Sequence, residues 1–199
     1  VVRRNQFHVC IMKTESMNLA GKLLVAMPGM GDVRFEYSVI YICAHSKDGT
    51  MGLIVNKPNP KLNFKKLLSQ LNISSNLSII DTMVHFGGPV EQVRGFILHS
   101  SDYQAGVDTL NVDGTFSMTA TPDILKDIAK GEGPDISLLA LGYSGWASGQ
   151  LELELLQNGW LICDATYDLV FKIADNDKWA SALASLGVDP LMLSTQAGR

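Results

Sequence analysis

A serine flanked by small residues in LGYSGWASGQ, residues 141–150, is where this chain most resembles a site of covalent catalysis. An apolar run precedes it and a helical pattern follows, as in the strand, turn and helix that carry the nucleophile of α/β-hydrolases. That motif is G-x-S-x-G, but here the second glycine comes one residue early and Trp146 stands where the turn needs a small residue. All four histidines precede Ser144, which excludes the triad order of that fold. We expect Ser144 to be structural, and a His-Asp-Ser order on another fold stays open.

Three histidines are the second group of residues that could do chemistry. His45, His85 and His99 lie on separate segments, so only the tertiary fold could bring them together. No HxH or HxxxH pair places two ligands on one element, and we therefore predict no metal and no cofactor. A hydrolase that uses one of these histidines stays open as an alternative, and it requires a carboxylate within hydrogen-bond reach in the same cleft.

Two glycine-rich stretches invite comparison with nucleotide-binding loops. GMG at residues 29–31 follows an apolar run, but Arg34 occupies the third glycine position of a dinucleotide fingerprint, and the next segment reads as a strand. The stretch FGGPV, residues 86–90, could bring backbone amides close to an anion, yet it lacks the Lys-Ser/Thr of a P-loop. Both stretches are predicted to be tight turns.

The composition is that of a folded globular chain with an acidic balance. Of the 199 residues, 46% are hydrophobic and 18% are charged, and the formal net charge is −4. Proteins that grip the nucleic-acid backbone usually present a basic surface, and no helix-turn-helix is evident, so direct nucleic-acid binding is disfavoured. The longest apolar runs, such as residues 39–44, are too short to cross a bilayer, so we expect no membrane association.

The cysteines and the N-terminal residues bound the location and the domain organisation. The cysteines are odd in number, widely spaced and without a CxxC pair: Cys10, Cys43 and Cys163. No disulfide framework is therefore expected, and the predicted location is the reducing cytoplasm. Residues 1–16 lack a long apolar stretch and sustained periodicity, so they are predicted to be a flexible extension. A single domain is expected over residues 17–199.

The elements that must position these residues include more strands than helices. FEYSVIYICAHS and DISLLALGYSG predict strands, the first covered on both faces, while KDGT and the Asp-Gly pair at 113–114 predict hairpins. In the helix TPDILKDIAKG, Thr121 is predicted to cap the N-terminus and Gly131 to end the helix. Trp146 is expected in a strand-to-helix turn. Hairpins outnumber crossover helices, which predicts an α+β fold with a mostly antiparallel or mixed sheet.

Several motifs in a fixed order resemble one bacterial family. The order LLVAMPGMGD, SVIYICAH, DGTMGLIVNKP, GGPV, RGFILH and LGYSGWASGQLELEL is similar to that of the YqgE/AlgH family, over residues 18–198. The resemblance implies a bifurcated sheet that includes a small β-barrel and is flanked by helices. The family has no established enzymatic activity and no established catalytic residues, so the resemblance implies neither. The name AlgH is associated with a suggested role as a transcriptional regulator.

The leading functional hypothesis is a cytoplasmic, non-enzymatic binding or regulatory module that acts through a protein or a small ligand. The motif-bearing segments are loops and strand ends rich in glycine, proline, asparagine and aromatic residues, where binding residues concentrate. A transcriptional regulator and a histidine-using hydrolase are the alternatives. Whether Trp146 lines a groove or closes the core also stays open. The predicted ligand or partner surface consists of His45, Asn56, Lys57, Gly87, Gly88, Pro89, Arg94, His99, Tyr143, Trp146 and Gln150.

Overall fold

A computed structural model of the chain describes residues 18–75, 81–104 and 106–194. The predicted extension over residues 1–16 lies outside the described residues, and the single domain over 17–199 stays a prediction. Ten strands run through the described part: β1 (Lys22–Ala26), β2 (Val39–Ser46), β3 (Gly49–Ile54), β4 (Pro58–Asn63), β5 (Met83–Phe86), β6 (Val90–Ser100), β7 (Thr109–Asn111), β8 (Phe116–Thr119), β9 (Ser137–Ala147) and β10 (Trp160–Asp164).

Five short α-helices accompany these strands: α1 (Phe64–Gln70), α2 (Asp123–Lys130), α3 (Gln150–Leu156), α4 (Asp175–Ser185) and α5 (Pro190–Ser194). Helix α2 ends at Gly131 as predicted, with this glycine in the left-handed conformation at φ 84°. The predicted cap by Thr121 is wrong. Pro122 occupies the N-cap position and no side chain caps the helix, so the first turn relies on Asp123 to complement the helix dipole.

The sheet branches at its central strand. Its order is β10-β1-β2-β3-β9-β6-β8-β7, and β4 joins through β5. One edge of β9 pairs with β6, while its other edge pairs first with β5 at residues 140–141 and then with β3 at residues 144–147. The β5–β9 pair is parallel and the others are antiparallel. This arrangement confirms the α+β class and the mixed sheet.

The sheet curls around the larger hydrophobic core. Strands β2 and β8 are four positions apart in the sheet order, which would separate them by about 19 Å in a flat sheet. The rings of Tyr41 on β2 and Phe116 on β8 are nevertheless 4.9 Å apart, centre to centre. No pairing among the described strands joins β10 to β7, so the closed small barrel is not confirmed and stays a prediction.

Strand β2 is covered on both faces, as its sequence predicts. Tyr41 and its neighbours on the same face enter the larger core, whereas Ile40 and Ile42 enter a second cluster that also contains Leu151 of α3. Two tryptophans, Trp146 of β9 and Trp160 of β10, belong to this second cluster. The side of the sheet under α3 therefore carries an aromatic core at the place where β9 ends.

Candidate functional site

A cleft of about 610 Å³ lies beside α3, and we call it the tryptophan cleft. Its wall combines the connection between β1 and β2, the end of β9, helix α3 and the beginning of β10. The lining residues are Met27, Pro28, Gly29, Met30, Asp32, Arg34, Phe35, Pro89, Gly145, Trp146, Gln150, Glu154, Gln157, Asn158, Gly159 and Trp160. Three predicted site residues, Pro89, Trp146 and Gln150, therefore meet in one concave site.

The turn from β9 to α3 positions the polar side of the cleft. Gly149 adopts the left-handed conformation at φ 73°, and α3 begins at the next residue. The side-chain oxygen of Gln150 then accepts a hydrogen bond from the backbone N–H of Ala147, at 3.0 Å. Trp146 was predicted to lie in the strand-to-helix turn. This prediction is wrong, because Trp146 belongs to β9, which ends at the next residue. The strand continues because residues 144–147 are held by β3.

Glu154 collects three hydrogen bonds at the wall of the cleft. The indole N–H groups of Trp146 and Trp160 both donate to its Oε2, at 2.9 and 2.8 Å. The side-chain N–H of Gln150 donates to Oε1 at 2.9 Å. The three donors come from β9, β10 and α3, and all three are neutral. This carboxylate therefore fixes the orientation of both tryptophans and ties α3 to the sheet.

A charged pair stands across the same cleft. The guanidinium of Arg34 holds the carboxylate of Asp32 with donor–acceptor distances of 3.0, 3.2 and 2.7 Å. This hydrogen bonding lowers the pKa of Asp32 below its ordinary value. The ammonium of Lys57 donates to the backbone carbonyl of Arg34 at 2.7 Å, and burial lowers the pKa of Lys57. The predicted residue Lys57 thus supports the loop that carries the pair.

A second, shallower depression of about 560 Å³ shares Gly145 and Trp146 with the first, and we call it the Arg94 cleft. Arg94 lies over the ring of Phe96 at 5.1 Å and forms an ion pair with Glu91 at 3.1 Å. Tyr143 packs edge-on against the same ring, with centroids 5.6 Å apart. Arg94, Tyr143 and Trp146 thus meet, and the two clefts flank one tryptophan. Trp146 is only 6% exposed, so it both fills the core and separates the clefts.

Ser144, Gly87 and Gly88 make a close backbone crossing between β9 and the end of β5. Ser144 is fully buried and donates to the carbonyl of Gly87 at 3.2 Å. A Cβ atom added at Gly87 would meet the carbonyl oxygen of Gly142, and one added at Gly88 would meet the carbonyl of Tyr143, both at van der Waals overlap. Gly87 and Gly88 therefore allow these two segments to pack closely.

Asn56 braces the backbone beside the cleft. Its side-chain oxygen accepts from the N–H of Val39 at 2.8 Å, and its side-chain N–H donates to the carbonyl of Tyr37 at 2.9 Å. Tyr37 has a positive φ of 55°, which is uncommon for a residue with a side chain. Both bonds occupy the asparagine, so Asn56 stabilises the loop between β1 and β2.

His45 and His99 have separate partners. His45 contacts the hydroxyl of Thr50 at 2.8 Å and lies 3.5 Å from a carboxylate oxygen of Glu152. His99 is fully buried, with its Nδ1 2.8 Å from the carbonyl of Ser100 and its Nε2 2.9 Å from the hydroxyl of Thr119. Burial lowers the pKa of His99. Neither histidine lines the tryptophan cleft or the Arg94 cleft.

His85 belongs to a largely buried cluster with Asp175 and Lys178 at the beginning of α4. Its Nε2 lies 3.1 Å from Asp175 Oδ2, and Lys178 Nζ lies 2.9 Å from Asp175 Oδ1. Lys178, only 3% exposed, also donates to the carbonyl of Val55 at 2.7 Å. Burial lowers the pKa of Lys178. Burial alone would raise the pKa of Asp175, but hydrogen bonds from His85 and Lys178 hold that pKa below its ordinary value.

The sequence patterns did not identify several of the residues that line the tryptophan cleft. Phe35, Glu154 and Trp160 lie on three segments that look unremarkable in isolation, and Asp32 and Arg34 read only as turn residues. The one available signal was the pair of indoles, since a buried tryptophan needs an acceptor for its N–H. That rule predicts an acceptor without naming it, and the choice of Glu154 depends on how α3 packs.

The described residues contain neither a cluster of metal ligands nor a helix that could span a membrane. Within residues 18–75, 81–104 and 106–194, no three His, Cys, Asp or Glu side chains group closely enough to hold a metal ion. No helix in that part of the chain combines the length and the apolar character that a membrane span needs.

Comparison with known sequences identifies relatives along most of the chain. Residues 23–191 match the family model described as AlgH-like (DUF179). A UPF0301 protein of Ruegeria pomeroyi is 56% identical over 183 residues, which cover 92% of this chain and 99% of that protein. A UPF0301 protein of Paracoccus denitrificans is 51% identical over 186 residues, which cover 92% of this chain and 98% of that protein.

Comparison with solved structures finds the same fold. The solution structure of the AlgH protein from Pseudomonas aeruginosa superposes with a TM-score of 0.75 at 37% identity, covering 94% of this chain and 98% of that one. The crystal structure of protein DIP2367 from Corynebacterium diphtheriae gives a TM-score of 0.66 at 21% identity, covering 90% and 92%. At this lower identity the likeness concerns the fold alone.

Proposed function

The chain belongs to the AlgH-like family, and from the geometry of its clefts we propose that it is a non-enzymatic binding protein whose ligand site is the tryptophan cleft. The observation that carries this proposal is the convergence of Trp146, Trp160 and Gln150 on Glu154 at the wall of one cavity. A binding site requires side chains that are already oriented before the ligand arrives, and this network orients them.

The size and lining of the cleft support a small ligand. Its volume of about 610 Å³ falls within the range of small-molecule sites, which are concave, partly apolar and equipped with a few fixed polar groups. Phe35 and Met30 supply apolar surface, whereas Gln150 and Asn158 supply hydrogen-bonding groups. The Arg94 cleft is shallower and extends the same surface on the other side of Trp146.

The residues of the cleft favour binding over catalysis. None of the described residues that line it is a serine, threonine, cysteine, histidine or lysine, the usual nucleophiles and proton carriers. Asp32 is held by Arg34, and Glu154 accepts three hydrogen bonds. His45 and His85 each have a carboxylate nearby, Glu152 at 3.5 Å and Asp175 at 3.1 Å. Neither histidine lines the tryptophan cleft or the Arg94 cleft, so these two clefts do not support a histidine-using hydrolase.

A regulatory role and a cytoplasmic location are part of this proposal. Cys43 and Cys163 are buried free thiols, which fits a reducing compartment. The acidic net charge disfavours direct nucleic-acid binding, so a regulator of this kind would act through the bound ligand or through a protein partner. A protein partner would meet the surface that joins the two clefts around Trp146.

Native mass spectrometry of the full chain tests the proposal. The purified chain is incubated with the small-metabolite fraction of a bacterial extract, and the retained small molecules are identified. We expect the chain to retain a metabolite, and Trp146→Phe and Gln150→Ala to retain much less of it. Phenylalanine keeps most of the ring volume but cannot donate to Glu154, and Gln150 is exposed, so both variants should fold.

Trp179→Phe is the matched control for Trp146→Phe. Trp179 donates its indole N–H to the carbonyl of Ala26 at 2.8 Å but does not line the tryptophan cleft. This variant should retain the metabolite as the unmodified chain does. Absence of any retained metabolite, or equal retention by all three variants, would exclude the tryptophan cleft as the ligand site.

A further inference from the structure

We propose that the tryptophan cleft selects an organic cation of the alkylammonium or methylammonium class, held by Glu154 among Phe35, Trp146 and Trp160. This inference rests on the proposed function, since it names the ligand chemistry of the same cleft. Three observations support the proposal: the charge of Glu154, the arrangement of the three aromatic rings, and the pairing of Arg34 with Asp32.

Glu154 has a negative charge that no cationic side chain balances among the residues the structure describes. The ion pairs of the described residues do not include it, and its three hydrogen-bond donors are the neutral groups of Trp146, Trp160 and Gln150. Neutral donors orient a carboxylate without cancelling its charge. A cation that enters the cleft would gain the attraction that the protein itself leaves unused.

The carboxylate also keeps hydrogen-bonding capacity. Each carboxylate oxygen can accept about two hydrogen bonds. Oε2 of Glu154 accepts from both indoles, but Oε1 accepts only from Gln150 among the described donors. The remaining acceptor position of Oε1 can receive an ammonium N–H, and a fully methylated ammonium can instead rest against the carboxylate by charge alone.

Three aromatic rings stand next to this charge. Phe35 meets Trp160 edge-to-face with centroids 5.8 Å apart and an interplanar angle of 75°, and Trp160 meets Trp146 at 5.9 Å and 80°. All three rings line the cleft, where Trp146 and Trp160 are 6% and 3% exposed, and the negative face of an aromatic ring attracts organic cations. Because both indole N–H groups donate to Glu154, their ring systems become richer in electrons, which strengthens the attraction.

The other charges of the cleft do not favour an anion. Arg34 is the cationic residue of the lining, and its guanidinium is engaged by Asp32 through Nε and one terminal nitrogen. The two charges compensate each other, so the charge of Glu154 dominates the field inside the cleft. An anionic ligand that contacts the remaining N–H groups of Arg34 would still share the cleft with the carboxylates of Asp32 and Glu154, which repel it. A cation is instead attracted by Glu154.

Titration of the full chain with choline and tetramethylammonium tests the proposal. Binding is followed by isothermal titration calorimetry and by tryptophan fluorescence, since two of the three tryptophans line the cleft. We expect choline to bind about tenfold or more tightly than 3,3-dimethyl-1-butanol, a neutral molecule of the same shape. Acetate should not bind. The affinity for choline should fall as ionic strength rises.

Two substitutions on α3 separate the charge of the cleft from the charge of the helix. Glu154→Gln keeps an acceptor for the indoles but removes the charge, and we expect the affinity for choline to fall about tenfold or more. Glu152→Gln removes the same charge two residues away, from a side chain that does not line the cleft, and should leave the affinity unchanged. If Glu154→Gln does not fold, Asp32→Asn provides the second test, because it frees the charge of Arg34 and should also weaken choline binding.

The outcomes distinguish this inference from the proposed function. Equal affinity for choline and its neutral isostere, or unchanged choline affinity in Glu154→Gln, would overturn the cation proposal. If neither cation binds but a neutral or acidic metabolite is retained in a Trp146-dependent manner, the cation proposal fails and the tryptophan cleft remains the ligand site. If neither cation binds and no metabolite is retained, both proposals fail.

Discussion

Two carboxylates, Glu154 and Asp175, each gather donors from distant segments, and their surroundings differ in charge. Glu154 receives neutral donors at the wall of a cleft. Asp175, the first residue of α4, receives His85 and the buried ammonium of Lys178, and its own side chain is 24% exposed. Both carboxylates are partly buried, but Glu154 has no cationic partner among the described residues, whereas Asp175 is paired with the buried ammonium of Lys178.

This difference separates a site from a structural support. A buried ion pair is balanced because an unpaired charge in the interior is very costly, and its partners are then unavailable to anything else. A carboxylate with neutral donors is equally well oriented but still able to attract a ligand. The histidine–carboxylate contact of His85 with Asp175 is shared with Lys178, which engages the other oxygen of the same carboxylate.

Removing Lys178 should have the largest effect. Lys178→Met leaves the partly buried Asp175 carboxylate with His85 as its remaining partner in the cluster and removes the bond to the carbonyl of Val55. We expect the free energy of unfolding to fall by about 3–5 kcal/mol in urea denaturation. Lys126→Met is the control, because Lys126 forms an exposed pair with Asp123 at the same spacing, and it should cost less than about 1 kcal/mol. Equal losses in the two variants would refute the contrast.

Replacing Trp146 should have the next largest effect. Trp146→Phe removes an N–H donor to a charged acceptor, which should lower the free energy of unfolding by about 1.5–3 kcal/mol. Trp179→Phe removes a donor to the neutral carbonyl of Ala26 and should cost about 0.5–1.5 kcal/mol. Thermal and urea unfolding measure both. A larger loss for Trp179→Phe would show that the Glu154 network does not hold α3 to the sheet.

His99 should make stability depend on pH in the acidic range. Its partners are the neutral Ser100 carbonyl and Thr119 hydroxyl, and burial lowers its pKa below the ordinary value of 6.5. Between the ordinary pKa and the lowered pKa of folded His99, the unfolded chain is protonated at this residue and the folded chain is not. The free energy of unfolding should therefore fall as the pH drops through 6.5 and below. His99→Gln should show a smaller fall in the free energy of unfolding over the same pH range. An identical pH dependence in both proteins would contradict this account.

Arg94 should have the smallest effect on stability. Its pair with Glu91 is exposed on both sides, and such pairs contribute about 0–1 kcal/mol. Arg94→Ala should therefore leave the free energy of unfolding within about 1 kcal/mol of the unmodified chain, while choline binding at the tryptophan cleft stays unchanged. A loss of choline affinity would show that the two clefts act as one site.

The local patterns of the chain predicted local structure well. Gly131 ends α2 in the left-handed conformation because a residue without Cβ adopts it at no cost, and the Asp-Gly turn at 113–114 joins β7 to β8. The apolar residues of β2 alternate between two cores, as a strand covered on both faces requires. The predicted Thr121 cap failed because Pro122 took the capping position, a choice between adjacent residues that the pattern does not resolve.

The site depended on contacts that no local pattern contains. Trp146, Gln150 and Pro89 were predicted and do share a cleft, but Glu154, Phe35 and Trp160 join them only through the packing of α3 and the loop after β1. His45 and His99 were also predicted but do not line this cleft. His99 bonds Ser100 and Thr119 within the sheet, and His45 lies between Thr50 of β3 and Glu152 of α3.

By itself the sequence determined the α+β class, the hairpins, the doubly covered β2 strand and the absence of a complete serine-hydrolase motif. These follow from periodicity, turn chemistry and the order of residues, which act over short distances along the chain. The tertiary structure alone decided that β2 meets β8 across a curled sheet, that Asp175 is balanced by Lys178 and His85, and that Glu154 is not balanced. Pairing of charges depends on which side chains meet after the chain has folded, so only the packed molecule could separate the structural carboxylate from the one that we propose binds a ligand.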